Sequence, residues 1–136
     1  MTERKKISVL LADDETHIRV LIRQLFISMG AEVVAEAANG EDALAAFMEK
    51  KPDITLLDIN MPRMNGKDAL KKIKEQSPGA FVIMLTSLAA MDVVKECLDL
   101  GAANYIRKDT PTAEIKKFIL ESWKDYLASR KESSSG

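Results

Sequence analysis

Asp13, Asp14, Asp58, Thr86 and Lys108 are the side chains in this 136-residue chain whose types and spacing point to chemistry. Each acid, and Thr86, closely follows a short apolar run, 7–12, 54–57 or 81–85, and Lys108 follows the short stretch 104–107. Runs of this length, rich in Val, Ile and Leu, read as buried parallel strands. Groups at the carboxyl ends of such strands stand where open α/β sheets place their reactive residues. Asp58 could instead cap the following helix, but that helix is expected only near Lys67, well past it. Three carboxylates brought close together at strand ends repel one another, so one or more takes up a proton unless a cation compensates. A hard divalent ion such as Mg²⁺ suits a few carboxylate oxygens supplemented by carbonyl and water.

The elements that must position these groups alternate along the chain. Strand one (7–12) leads into a helix whose Ile18, Leu21, Ile22, Leu25, Phe26 and Met29 recur at helical spacing, ended by Gly30. A more exposed strand two (32–36) follows, and Asn39-Gly40 makes a turn. Leu44, Phe47 and Met48 mark the inner face of helix two. Strand three carries Asp58, and Pro62 and Gly66 break the chain before helix three, with Ala69, Leu70 and Ile73. Strand four (81–85) ends on Thr86, and helix four offers Val94, Cys97 and Leu98. Strand five (104–107) precedes Lys108, and helix five runs from Thr110-Pro111-Thr112 to about Arg130. Five β/α units with right-handed crossovers give a parallel sheet covered by helices on both faces. Residues 131–136, Lys-Glu-Ser-Ser-Ser-Gly, read as a polar tail beyond a domain spanning 1–130.

Composition removes several functions. A net charge of −1 gives no global attraction to nucleic acid or anionic membrane. No apolar run approaches membrane-spanning length, and the charged start, Met-Thr-Glu-Arg-Lys-Lys, has no signal-peptide pattern. The lone cysteine, Cys97, forbids an internal disulfide and reads as a small buried hydrophobe. His17 is the only histidine, expected on an exposed first helical turn, so a multi-histidine zinc site is impossible. No Gly-x-Ser-x-Gly turn accompanies it for a Ser-His-Asp hydrolase.

The stretch Asp58-Ile-Asn-Met-Pro-Arg-Met-Asn-Gly66 resembles the phosphoacceptor signature of two-component response regulator receiver domains. Asp13-Asp14, Thr86 and Lys108 fit that family in the same order. The resemblance implies a flavodoxin-like (βα)5 doubly wound sheet, strand order 2-1-3-4-5. It implies that Asp58 takes a phosphoryl group from a phosphohistidine on a sensor histidine kinase or histidine phosphotransfer protein. Asp14, Asp58 and the Asn60 backbone carbonyl would bind Mg²⁺ (or Mn²⁺) directly, and Asp13 through water. Mg²⁺ and Lys108 would neutralise phosphoryl charge, Thr86 would donate its hydroxyl, and Tyr105 would turn into the space Thr86 vacates. Such transfer needs positioning and charge neutralisation more than acid-base work. The chain would then act as a cytoplasmic switch on a downstream protein target rather than as a turnover enzyme, resetting itself slowly. Two residues depart from the usual pattern: Asp109 replaces the proline after the lysine, so a cis bond is not expected, and the apolar Leu88 stands two residues after Thr86.

Three other classes fit less well. Metal-dependent phosphatases with an aspartyl nucleophile usually carry a second Asp two residues on, where this chain has Asn60. A nucleotide or flavin binder of similar topology should have a Ser/Thr/Gly-rich loop after strand one, not Asp-Asp-Glu-Thr-His. A pseudo-receiver that only binds partners would not need every acidic, Thr and Lys position filled. On helix five, Leu120, Trp123 and Leu127 widen the apolar arc to roughly 200°, about twice what a sheet-facing helix requires. That stripe is expected at a partner or homodimer surface, with Trp123 as its anchor.

Overall fold

β-branched and leucine-rich runs dictate the centre of the molecule. The computed structural model describes residues 6–135, and side chains to residue 130. The elements are β1 (Ser8–Ala12), α1 (Thr16–Ser28), β2 (Glu32–Ala37), α2 (Gly40–Lys50), β3 (Ile54–Asp58) and α3 (Gly66–Gln76). They continue with β4 (Val82–Thr86), a 3-10 turn (Leu88–Ala90), α4 (Met91–Asp99), β5 (Asn104–Arg107) and α5 (Thr112–Ser135). All strand pairs are parallel and the order is β2-β1-β3-β4-β5, the expected flavodoxin-like arrangement. Every residue of β3 and β4 is buried, as strands covered on both faces must be. On the edge strand β2 only Ala37 is buried.

Alternation along the strands divides the core in two. Leu10, Ala12, Leu57, Val82 and Met84 pack with Phe47 of α2, Leu70 and Ile73 of α3, and Val94 and Cys97 of α4. Val9, Leu11, Ile54, Leu56, Ile83 and Leu85 pack with Ile22 and Phe26 of α1 and Ile115 and Ile119 of α5. Asn39 and Asn65 cap α2 and α3 by accepting from the Asp42 and Asp68 backbone N–H.

Some expectations are corrected. Leu21, Met48 and Leu98, expected on inner faces, are each almost 40% exposed (39, 38 and 39%). A flat sheet reaches only the central stripe of each helix, so residues at the margin of the apolar arc face outward. Helix three starts at Gly66 rather than Lys67, and β4 runs Val82–Thr86. The α5 backbone continues as helix to Ser135, through the stretch expected as a polar tail. No cis peptide bond occurs among the described residues, so Lys108–Asp109 is trans. Among them, too, no helix is long and apolar enough to cross a membrane.

The loop from Asp58 into α3 is held from two sides. Gly66 N–H donates to Ile59 O (2.8 Å), and a Cβ on Gly66 would collide with the Asp58 carbonyl. A Cβ on Gly40 would strike the Met64 carbonyl. Between these contacts Arg63 and Met64 adopt positive φ (61° and 136°), which side chains other than glycine rarely do. Gly66→Ala is expected to lower unfolding stability by about 1–3 kcal/mol, because backbone must move to admit the methyl. Gly79→Ala, where a Cβ meets nothing, is expected within about 0.5 kcal/mol of wild type. Equal effects of the two in urea melts would refute the clamp.

Candidate functional site

Asp13 follows directly on β1, Asp58 ends β3, Thr86 ends β4, and Lys108 follows β5. Parallel pairing of β1 with β3, β3 with β4, and β4 with β5 brings these ends to one edge of the sheet. Backbone bonds fix them there: Asp13 N–H to Ala37 O (2.9 Å), Ile59 N–H to Leu85 O (3.0 Å) and Lys108 N–H to Thr86 O (2.9 Å). Asp13 and Thr86 are wholly buried and Asp58 is 2% exposed. Asp14 is exposed.

Lys108 reaches three anions. Its Nζ donates to Asp58 Oδ2 (3.1 Å), Asp13 Oδ1 (3.2 Å) and Glu15 Oε2 (2.6 Å). Asp13 Oδ2 lies 2.9 Å from the same nitrogen yet is buried without a well-aligned hydrogen bond. Asp58 Oδ1 accepts weakly from Asn60 N–H (3.3 Å). Asp13 Oδ1 accepts from Glu15 N–H (2.8 Å), and Arg19 donates to the Asp13 carbonyl (2.6 Å). Thr86 Oγ1 donates to the Ser87 carbonyl (2.8 Å), so its proton is engaged there.

Burial, and then the charge of Asp13, pushes the Asp58 carboxyl up to about 7. Burial also raises Asp13, against the Glu15 N–H and Lys108, which lower it. Burial opposes the charge on Lys108, but its hydrogen bonds to Glu15, Asp13 and Asp58 outweigh that and raise it. Lys108 in turn holds the exposed Glu15 carboxyl below its usual range.

One carboxylate oxygen from each of Asp13, Asp14 and Asp58 lies within 4.8 Å of the others. Oxygen donors from three acids, with one buried oxygen lacking an aligned hydrogen bond, fit a hard divalent cation. Tyr105 is half-buried on β5 against the α4-side core. Leu88 is 70% exposed, lining an opening of about 310 Å³ with Glu15, Ser87 and Lys108.

Away from this edge, Trp123 is half-buried and stacks on its own chain. Its ring lies 5.3 Å from Phe81, edge-on, and 5.3 Å from Tyr126, face-on. Leu120 and Leu127 remain 43% and 45% exposed. Leu120 and Trp123 border a cleft with Ile7, Phe26 and Met29, on the side of α5 that faces α1. The residue sequence reasoning missed is Glu15, read only as part of an acidic strand end. Nothing local marks its partner, which lies 93 residues away.

The family profile described as "Response regulator receiver domain" matches residues 9–120. The chain is similar to the chemotaxis protein CheY of Thermotoga maritima, 38% identical over 100 residues that make up 74% of this chain and 83% of that one. Its fold resembles a CheX-CheY-BeF3-Mg complex from Borrelia burgdorferi, with a TM-score of 0.80 and 33% identity, covering 85% of this chain and 87% of that one. It also resembles a CheY-like response regulator receiver domain protein from Methanospirillum hungatei, with a TM-score of 0.84 and 28% identity over 92% and 99% of the two chains.

The raised Asp58 carboxyl predicts a pH dependence for the metal-free protein. Below its ordinary value of 3.8 the group is protonated folded and unfolded alike. Between there and about 7 the unfolded chain has lost a proton that the folded chain keeps, so stability falls as pH rises. With a chelator present, the unfolding free energy of wild type minus that of Asp58→Asn should fall from about pH 5 to about pH 7 and level off above. A difference that stays constant over that window contradicts the assignment.

Proposed function

Since this chain belongs to the response regulator receiver family, and so to phosphorylation-dependent two-component signalling, we propose that Asp58 is its phosphoacceptor. The observation that carries this is Lys108 bridging buried Asp13 and Asp58 at one strand edge, beside buried Thr86. An Asp58 carboxylate oxygen attacks the phosphorus of a phosphohistidine on a sensor histidine kinase or histidine phosphotransfer protein. The O–P bond forms, the N–P bond breaks, and its electron pair returns to the donor imidazole. Lys108 neutralises charge on the phosphoryl oxygens, and Thr86 turns from the Ser87 carbonyl to donate to one of them. Asp14, Asp58 and the Asn60 carbonyl would hold Mg²⁺ or Mn²⁺, and Asp13 would act through water. Such a cation would supply positive charge that offsets the carboxylates and the phosphoryl group.

Water later attacks the phosphorus, the Asp58 O–P bond breaks, and inorganic phosphate leaves. The chain thus promotes its own phosphorylation and reset but turns over no other substrate. Leu88 offers an approaching water no hydrogen bond, which favours slow reset. Rotation of Thr86 leaves room for Tyr105 to turn inward, and the changed surface binds a downstream protein in the cytoplasm, without direct contact to nucleic acid. An aspartyl-nucleophile phosphatase is disfavoured by Asn60 at the acid/base position, and a pseudo-receiver by the grouping of Asp13, Asp58 and Lys108 beside Thr86.

Incubation with acetyl phosphate and Mg²⁺, followed by mass mapping, should place one phosphoryl group on Asp58. Asp58→Ala should take none, and undiminished labelling of that variant would falsify the assignment. Mg²⁺ alone should raise the melting temperature of wild type by mass action.

Leu120 and Leu127, beside Trp123, form an exposed apolar stripe that suits a protein partner or a second copy of the chain. Leu120→Ser with Leu127→Ser should abolish any dimer seen by light scattering, and a quencher should report altered access to Trp123 on association. A monomer at every concentration, with or without beryllofluoride, would remove the homodimer.

A further inference from the structure

We infer that Glu15 is a displaceable counter-anion on Lys108, a positioning residue that holds the ammonium until a phosphoryl group takes its place. This rests on Asp58 being the phosphoacceptor. A lysine ammonium has three N–H donors and no more. Here Asp13, Asp58 and Glu15 take them, and Glu15 makes the shortest contact, 2.6 Å.

The three partners are not equivalent. The side chains of Asp13 and Asp58 are 0% and 3% exposed, whereas that of Glu15 is 44% exposed. Withdrawing Lys108 from either buried acid would strand a charge away from water, which is costly. Withdrawing it from Glu15 returns a carboxylate to solvent. Glu15 also occupies the N-cap position of α1, yet its side chain makes no capping hydrogen bond. It is turned instead toward Lys108, at the opening shared with Ser87 and Leu88.

A phosphoryl group arriving at Asp58 brings negative charge while Asp58 is still a carboxylate, and it needs a donor from Lys108. The donor that is freed at least cost is the one Glu15 holds. Glu15 therefore competes with the incoming dianion, both for that N–H and through like-charge repulsion at the mouth of the site. It touches none of the reacting atoms.

Labelling of Asp58 at limiting donor and saturating Mg²⁺ tests this with two donors, dianionic acetyl phosphate and the less charged phosphoramidate. Glu15→Gln should label about three- to tenfold faster than wild type with acetyl phosphate, the scale of removing one nearby charge at a solvated site. The gain should be smaller with phosphoramidate and should shrink as salt rises. Glu15→Asp, which keeps the charge, should stay within about twofold of wild type. In chelator, a stability cycle of Glu15→Gln with Lys108→Met should show coupling between the two residues. Labelling by Glu15→Gln that is unchanged, slower, or equally enhanced with both donors overturns the inference alone. Wild type that takes no label on Asp58 overturns the phosphoacceptor reading, and this inference with it.

Discussion

The ammonium of Lys108, shared among Asp13, Asp58 and Glu15, is the interaction on which the site depends. Asp13 and Asp58 are buried at the ends of strands flanked by apolar side chains. Burial disfavours the charge of both, and the charge of Asp13 adds to the cost at Asp58. Lys108 offsets part of that cost, and what remains is the appetite of the site for a further cation. The fold delivers this arrangement through backbone alone: the Lys108 N–H bonds Thr86 O, so the registry of β5 on β4 sets where the ammonium can reach.

Most of the architecture was legible because strand ends and reactive residues coincide. Asp58, Thr86 and Lys108 each close or follow a strand, and the parallel order of the sheet puts them side by side. Less legible were properties set by neighbours distant in sequence. Leu21, Met48 and Leu98 have the spacing of core residues, but their exposure is decided by how wide a stripe the sheet can cover. Trp123 reads as the half-exposed anchor of an over-wide helix face, yet Phe81, at the start of the β4 run, and Tyr126 pack against its ring. Glu15 looks like one more solvated acid until the chain brings Lys108 beside it.

The fourth carboxylate also bears on how charge is distributed at this edge. Asp14 and Glu15 are exposed, Asp13 and Asp58 are not. Negative charge is thus layered from solvent inward, with Lys108 between the layers. An anion approaching from outside first meets carboxylates, so its entry is governed by what screens or displaces them as much as by the cationic centre behind.

The clamp on the loop after Asp58 has a mechanical consequence. On the β3 side, Ile59 is bonded to Leu85, Gly66 to Ile59, and the Asp58 carbonyl abuts Gly66 with no room to spare. On the β4 side, the Thr86 hydroxyl is held by one bond to the next residue, and the segment that follows is a short 3-10 turn with Leu88 in solvent. The backbone beneath Asp58 is thus pinned on two sides, and the segment after Thr86 by fewer contacts. Were Asp58 to take the proposed phosphoryl group, its backbone would have little room to yield, and adjustment would fall to β4, the turn beyond it and β5. Rigidity beneath the proposed acceptor would then give a small chemical event a direction.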